Sequence, residues 1–178
     1  MIEKFSRPAL LAVLFVGGCA MAPIRPPVVA EYDKFKDVTT ITITKDYRTP
    51  DASKSVFGFS RPHLWVIANY PGTSPKVIPP SALFGFRAYT SSWKYLRCHS
   101  LDLLADEKRI AVPNTEHEGS VITGDLLIEY VMGSIPFATL KQIAESKVVE
   151  VKLCNDTWAL TPDELDALRE MVQAATPK

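Results

Sequence analysis

Polar and apolar positions change rhythm several times along this chain, and each change marks an element. Ala9 through Val16 is an unbroken apolar run with no period. Val38–Thr44 then alternates and is rich in β-branched residues, which predicts a strand with Ile41 and Ile43 inward. His63–Ala68 and Leu83–Tyr89 read the same way, the second with Phe84, Phe86 and Ala88 on one side. Between the first two strands, Asp46 to Arg61 holds Pro50, Gly58 and several serines, a loop with a short extended piece at Val56-Phe57. Pro75, Pro79 and Pro80 keep the stretch after Tyr70 irregular. Trp93–Cys98 and Ser100–Ala105 are further strands, or one strand with a bulge. Asp106-Glu107-Lys108 reads as a hairpin turn into Arg109–Val112, which Pro113 stops. Asn114 to Gly119 is polar and predicts a loop, whereas Leu126–Met132 is apolar on both sides and predicts a central strand.

The period then switches from two to that of a helix. Phe137, Leu140 and Ala144 share a face of a short helix over Pro136–Ala144. Lys147–Leu153 alternates again, with Val149, Val151 and Leu153 inward, and Thr157–Leu160 predicts a last short strand. Thr161-Pro162-Asp163-Glu164 has the spacing of a capping box, with proline at the first helical position and acids at the positive end of the helix. Leu165, Leu168 and Val172 form the apolar stripe of that terminal helix, and Asp163, Glu164, Asp166, Arg169 and Glu170 are expected to face water. Short connections favour antiparallel pairing over crossovers. The expected fold is therefore α+β: one antiparallel sheet of about six or seven strands with two late helices. A β-sandwich or a partly open barrel is the alternative.

The aperiodic run near the start has another meaning. Lys4 and Arg7 precede it, Gly17-Gly18 follow it, and it is far shorter than the about 20 apolar residues that cross a bilayer. Basic start, short apolar middle and small residues behind make a secretory signal peptide over residues 1–18. The run closes in Val16-Gly17-Gly18-Cys19, which resembles the lipobox of bacterial lipoproteins. That resemblance implies cleavage after Gly18, a diacylglyceryl group on the sulfur of Cys19 and acylation of the new amino terminus. It implies further that Ala20, where an Asp would favour the inner membrane, directs the chain to the outer membrane facing the periplasm. Several acyl chains anchor stably where one does not. Pro23, Pro26 and Pro27 make residues 19–35 read as a semi-rigid tether, leaving 36–178 as a single globular domain.

Composition narrows the function by exclusion. With 20 Lys+Arg against 20 Asp+Glu, the chain lacks the basic excess that nucleic-acid binding requires. Three cysteines become two, Cys98 and Cys154, once Cys19 is acylated; in an oxidising compartment these form a bridge, stay as buried thiols, or supply a reactive thiol. His99 adjoins Cys98, but neighbours on a strand point to opposite faces.

Glycines never cluster into a phosphate loop, and no Cys-x-x-Cys, His-Glu-x-x-His or Gly-x-Ser-x-Gly occurs. Ser91-Ser92-Trp93-Lys94 contains Ser-x-x-Lys, yet its surroundings read as loop and strand rather than the helix that would bring amine to hydroxyl. Glu116-His117-Glu118 supplies too few convergent ligands for a zinc site and reads as a solvated loop. His63 and His99 read as edge or surface residues, and Asp102, Asp106 and Glu107 as turn and solvent acids. Tyr89, Trp93 and Tyr95 are interleaved with Arg87, Lys94 and Arg97, a pattern that can hold sugars, lipid headgroups or anionic polymers such as cell-wall components. The same period-two spacing also places Trp93 and Tyr95 together on a core face, the preferred reading. No catalytic residue, metal or cofactor is assigned. The expectation is a lipid-anchored, non-catalytic accessory, scaffold or binding protein, with the membrane through Cys19 and an envelope protein or cell-wall component as partners. An envelope hydrolase or transferase and a carrier of a small apolar ligand are the alternatives.

Overall fold

A computed structural model describes residues 28–43 and 61–178. The signal peptide, Cys19 and the Pro-rich stretch up to Pro27 lie outside the described residues, as does residue 44 with nearly all of the Asp46–Arg61 loop. Ten strands and two helices follow one another: β1 (Val28–Asp33), β2 (Val38–Ile43), β3 (His63–Pro71), β4 (Ser81–Thr90), β5 (Leu101–Ala105), β6 (Lys108–Val112), β7 (Glu116–Thr123), β8 (Leu126–Pro136), α1 (Phe137–Glu145), β9 (Val149–Leu153), β10 (Asp156–Ala159) and α2 (Pro162–Ala174). The fold is α+β and every strand pair is antiparallel, with both helices late in the chain.

The strands divide into two sheets, of order β1-β2-β3-β4-β8-β7 and β10-β9-β5-β6. A second sheet forms because β5 and β6 are joined by a two-residue turn, Asp106-Glu107, with both residues at positive φ, so they pair with each other and then with β9. Both helices pack on each other and on one face of the six-stranded sheet, α2 over β1 and β2, α1 over β4 and β8. The inner face of the four-stranded sheet lies on the same core, where Trp158 meets Phe86 edge-on at 5.0 Å between centroids.

Four sequence expectations need correction. Val28–Asp33, assigned to the tether, pairs along its whole length with β2, because the prolines stop at Pro27 and an Asp33-based turn closes the hairpin. Residues 93–98 are not a strand, for the reason given below. Glu116 to Gly119 is not a loop: it belongs to β7, which pairs with β8 at the edge of the larger sheet. Glu164 does not face water. It is buried, accepting from the backbone N–H and hydroxyl of Thr161 to complete the capping box, and from Arg61 Nη2 at 2.6 Å. Because a third partner from outside the helix reaches it, a periodicity argument confined to α2 misplaces it. Leu165 and Leu168 do bury as the stripe requires, joined by Ala167 and Met171.

Candidate functional site

The loop between β4 and β5 carries Trp93, Lys94, Tyr95, Arg97, Cys98 and His99 from among the residues that sequence reasoning singled out, and three separate anchors hold it. The first is Glu129. It stands on the core face of β8, between Leu127 and Val131 in the alternation and opposite Ala88 and Gly119 in the register, and none of it is exposed. An isolated carboxylate there would be costly to bury, so its partners matter. Oε1 accepts from the N–H of Tyr95 at 2.9 Å and lies 3.0 Å from His117 Nε2; Oε2 accepts from the Thr90 hydroxyl at 3.0 Å; the N–H of Lys94 reaches both oxygens. A carboxylate only accepts, so Nε2 of His117 carries the proton. Four donor groups meet about four lone-pair sites, and the carboxylate is saturated.

This explains why residues 93–98 leave the strand geometry that their alternation suggests. Two consecutive backbone N–H groups are bound by one side chain, which a sheet ladder with alternating directions cannot offer. Tyr95 is carried into the core while Trp93 stays 43% exposed, so the two aromatics do not share a face as expected. Trp93 lies edge-on to His117 and over Gly119, where an added Cβ would come within 2.5 Å of the indole ring. Only a glycine on β7 leaves room for that ring.

The second anchor is polar and crosses to the smaller sheet. Tyr95 donates its hydroxyl to Asp156 Oδ2 at 2.7 Å, and Lys94 Nζ reaches the same oxygen at 2.8 Å. Burial, and then the bond to Asp156, hold the Tyr95 phenol protonated far above the ordinary tyrosine range. For Asp156 partial burial pushes the other way, but the bonds from Lys94 and Tyr95 outweigh it and keep the carboxyl below its usual value. The third anchor is covalent: Cys98 is joined to Cys154 in the β9–β10 turn, with Cα atoms 5.9 Å apart, and the N–H of Cys154 bonds the carbonyl of Ser100.

Other expected residues stay apart from this cluster. Ser91 is exposed in the loop, and the ammonium of Lys94 goes to Asp156, so Ser-x-x-Lys forms no nucleophile pair. Glu116 and Glu118 point away from His117 across β7, and among the described residues no group of His, Cys, Asp and Glu converges as a metal site. Asp102 pairs with Arg109 on the outer face of the small sheet. Asp106 accepts from the N–H groups of Lys147 and Val148, which holds its carboxyl below the usual range. His99 is half-buried beside the bridge, and His63 is half-buried on β3. Glu129 and His117 are what sequence reasoning missed as a pair. The available signal was a lone acid at a core-facing position between Leu127 and Val131, where an ionisable group needs dedicated partners.

What this arrangement does chemically is position a loop. Glu129 has no lone pair left to take a proton from a substrate, and the exposed products of the arrangement are Trp93, Leu96 and Arg97, held on a rigid support. No protein-family model, no curated protein and no solved structure matches the chain.

Proposed function

We propose that this protein is a lipid-anchored lipoprotein of a bacterial envelope, held at the outer membrane by acylated Cys19, where its periplasmic domain acts as a non-catalytic binding or scaffolding accessory. The observation that carries the binding half of this reading is the saturation of Glu129: the most elaborate polar cluster among the described residues is spent on fixing a loop that displays apolar and basic side chains. Exposed aromatic and aliphatic residues on a fixed support are what recognition surfaces use, because little ordering entropy is lost when they are covered. The Cys98–Cys154 bridge suits the oxidising compartment that the signal peptide implies.

Two measurements test the reading. Metabolic labelling with a radioactive fatty acid should mark the wild-type protein and leave Cys19→Ser unlabelled; equal label in both removes the anchor. A photo-crosslinking residue placed at Leu96 in living cells should yield a discrete adduct with an envelope component, whereas one placed at exposed Lys108 on the small sheet should not. The same adduct from both positions, or none from Leu96, removes the assigned surface.

A further inference from the structure

The three anchors of the 91–100 loop hold different parts of it. Glu129 takes the N–H groups of Lys94 and Tyr95, and Asp156 takes the Lys94 ammonium and the Tyr95 hydroxyl. All four donors lie on two adjacent residues. The bridge to Cys154 holds the chain further on, beyond Leu96 and Arg97 and shortly before β5 begins at Leu101. Leu96 and Arg97, both exposed, are therefore held between a polar clamp on one side and a covalent clamp on the other.

The covalent clamp is open to exchange. Cys98 is exposed, whereas Cys154 is half-buried and packs against the hydrophobic core. An incoming thiolate therefore reaches the Cys98 sulfur first, with the Cys154 sulfur as leaving group. Cys154 also opens the two-residue turn Cys154-Asn155 between β9 and β10 at a φ of 55°. That is a left-handed conformation which favours glycine and strains a residue carrying a β carbon. Exposed or strained bridges are the labile ones, and this bridge has both features.

We infer that the Cys98–Cys154 bridge is a thiol–disulfide exchange site for a dithiol reductant, and that exchange there switches the Leu96–Arg97 half of the surface proposed above. The switch presupposes the recognition reading of this loop; the exchange itself does not. One thiolate of the dithiol attacks the Cys98 sulfur, the bond to Cys154 breaks, and its electron pair leaves on the Cys154 sulfur, which takes up a proton. The second thiol of the reductant then attacks the mixed disulfide and releases Cys98 as a thiol. Two electrons and two protons pass to the bridge, and the reductant ends as a disulfide. Opening the bridge leaves the polar clamp intact, so Trp93 stays over Gly119 while Leu96 and Arg97 gain freedom. Ordering them again on binding costs entropy that the oxidised loop has already lost, which makes the oxidised protein the tighter binder.

The test uses the full-length protein in detergent micelles, with any free thiol first blocked by iodoacetamide so that the bridge alone responds. Native protein is equilibrated with dithiothreitol or reduced glutathione, quenched with N-ethylmaleimide, digested and read by mass spectrometry. The expected result is maleimide on Cys98 and Cys154 without denaturant, and a transient glutathione adduct on Cys98. A bridge that opens only in urea, or an adduct on Cys154 in place of Cys98, overturns the exchange site. In the reduced protein, backbone order parameters at Leu96 and Arg97 should fall from about 0.85 to below about 0.6, with Lys94 and Tyr95 unchanged. Unchanged order at Leu96, or equal loss at Tyr95, overturns the division of the loop. The protein carrying Cys98→Ser and Cys154→Ser, which lacks the bridge permanently, should give the Leu96 photo-crosslink about tenfold more weakly than the oxidised wild type. An equally strong adduct from both overturns the switch. No adduct even from the oxidised wild type removes the recognition reading and the switch together, while thiol labelling still decides the exchange.

Discussion

Glu129 and Asp106 perform the same operation in different surroundings. Each carboxylate accepts from two consecutive backbone N–H groups of a distant segment, Lys94 and Tyr95 for Glu129, Lys147 and Val148 for Asp106. Glu129 is fully covered and gathers Thr90 and His117 as well, whereas Asp106 stands in an exposed turn where water competes for every bond. Low dielectric strengthens a satisfied hydrogen bond and makes an unsatisfied one expensive. The buried pin therefore sets the course of the 91–100 loop at Lys94 and Tyr95, beside the Asp156 and disulfide anchors, and the exposed one trims a turn that strand pairing already defines.

Breaking the buried pin should have the largest effect. Glu129→Ala strips four donors of their acceptor, and we expect a loss of about 3–5 kcal/mol in urea denaturation with reduced protection of the loop. A loss below about 1 kcal/mol would place Glu129 in the same class as a surface acid. Removing the covalent anchor comes next: Cys98→Ser with Cys154→Ser should cost about 2–4 kcal/mol by restoring freedom to the unfolded chain, without displacing Tyr95. An unchanged unfolding midpoint would mean that Glu129 and Tyr95 hold the loop unaided.

The polar link to Asp156 is weaker. Tyr95→Phe should cost about 1 kcal/mol near neutrality. Because the folded state keeps the Tyr95 phenol protonated above its unfolded value, its contribution is intact below about pH 10 and is lost as the pH rises further. The wild type should thus destabilise more steeply than Tyr95→Phe in alkaline urea titrations, and parallel curves would contradict the assignment. Smallest of all is Asp106→Asn. The N–H groups of Val148 and Lys147 hold the Asp106 carboxyl below its ordinary value, so its contribution is present above about pH 3.9 and fades as the pH falls through the lower folded value. The wild type and Asp106→Asn should differ slightly at pH 6 and converge in acid; a gap that widens in acid would reverse the sign.

Legibility in the sequence follows the range of the interactions. Elements set by local rules were readable: the alternation of β2, β3, β4 and β9, the Asp106-Glu107 turn, the face of α1, and the capping box of α2. Elements decided by a distant partner were not. Trp93–Cys98 alternates like a strand, but Glu129, some 34 residues further on, takes its N–H groups. Glu164 sits on what looks like the wet side of α2 until Arg61, 103 residues earlier, covers it. Val28–Asp33 lies beside a proline-rich stretch and becomes a strand only because β2 supplies a partner. The division into two sheets was invisible for the same reason, since alternation reports which face is buried and not which neighbour is paired.

Amide hydrogen exchange, read residue by residue, tests the buried pin most directly, because the two carboxylates hold four named N–H groups. Lys94 and Tyr95 should exchange only through large-scale opening, with protection close to that of the β8 core, while Lys147 and Val148 exchange through local fluctuation. In Glu129→Gln, whose amide offers one acceptor in place of two, the protection of Lys94 and Tyr95 should collapse and that of Lys147 and Val148 stay as it was. Equal and rapid exchange at all four amides in the wild type, or a Glu129→Gln protein with Lys94 and Tyr95 still protected, would contradict the claim that Glu129 holds the loop.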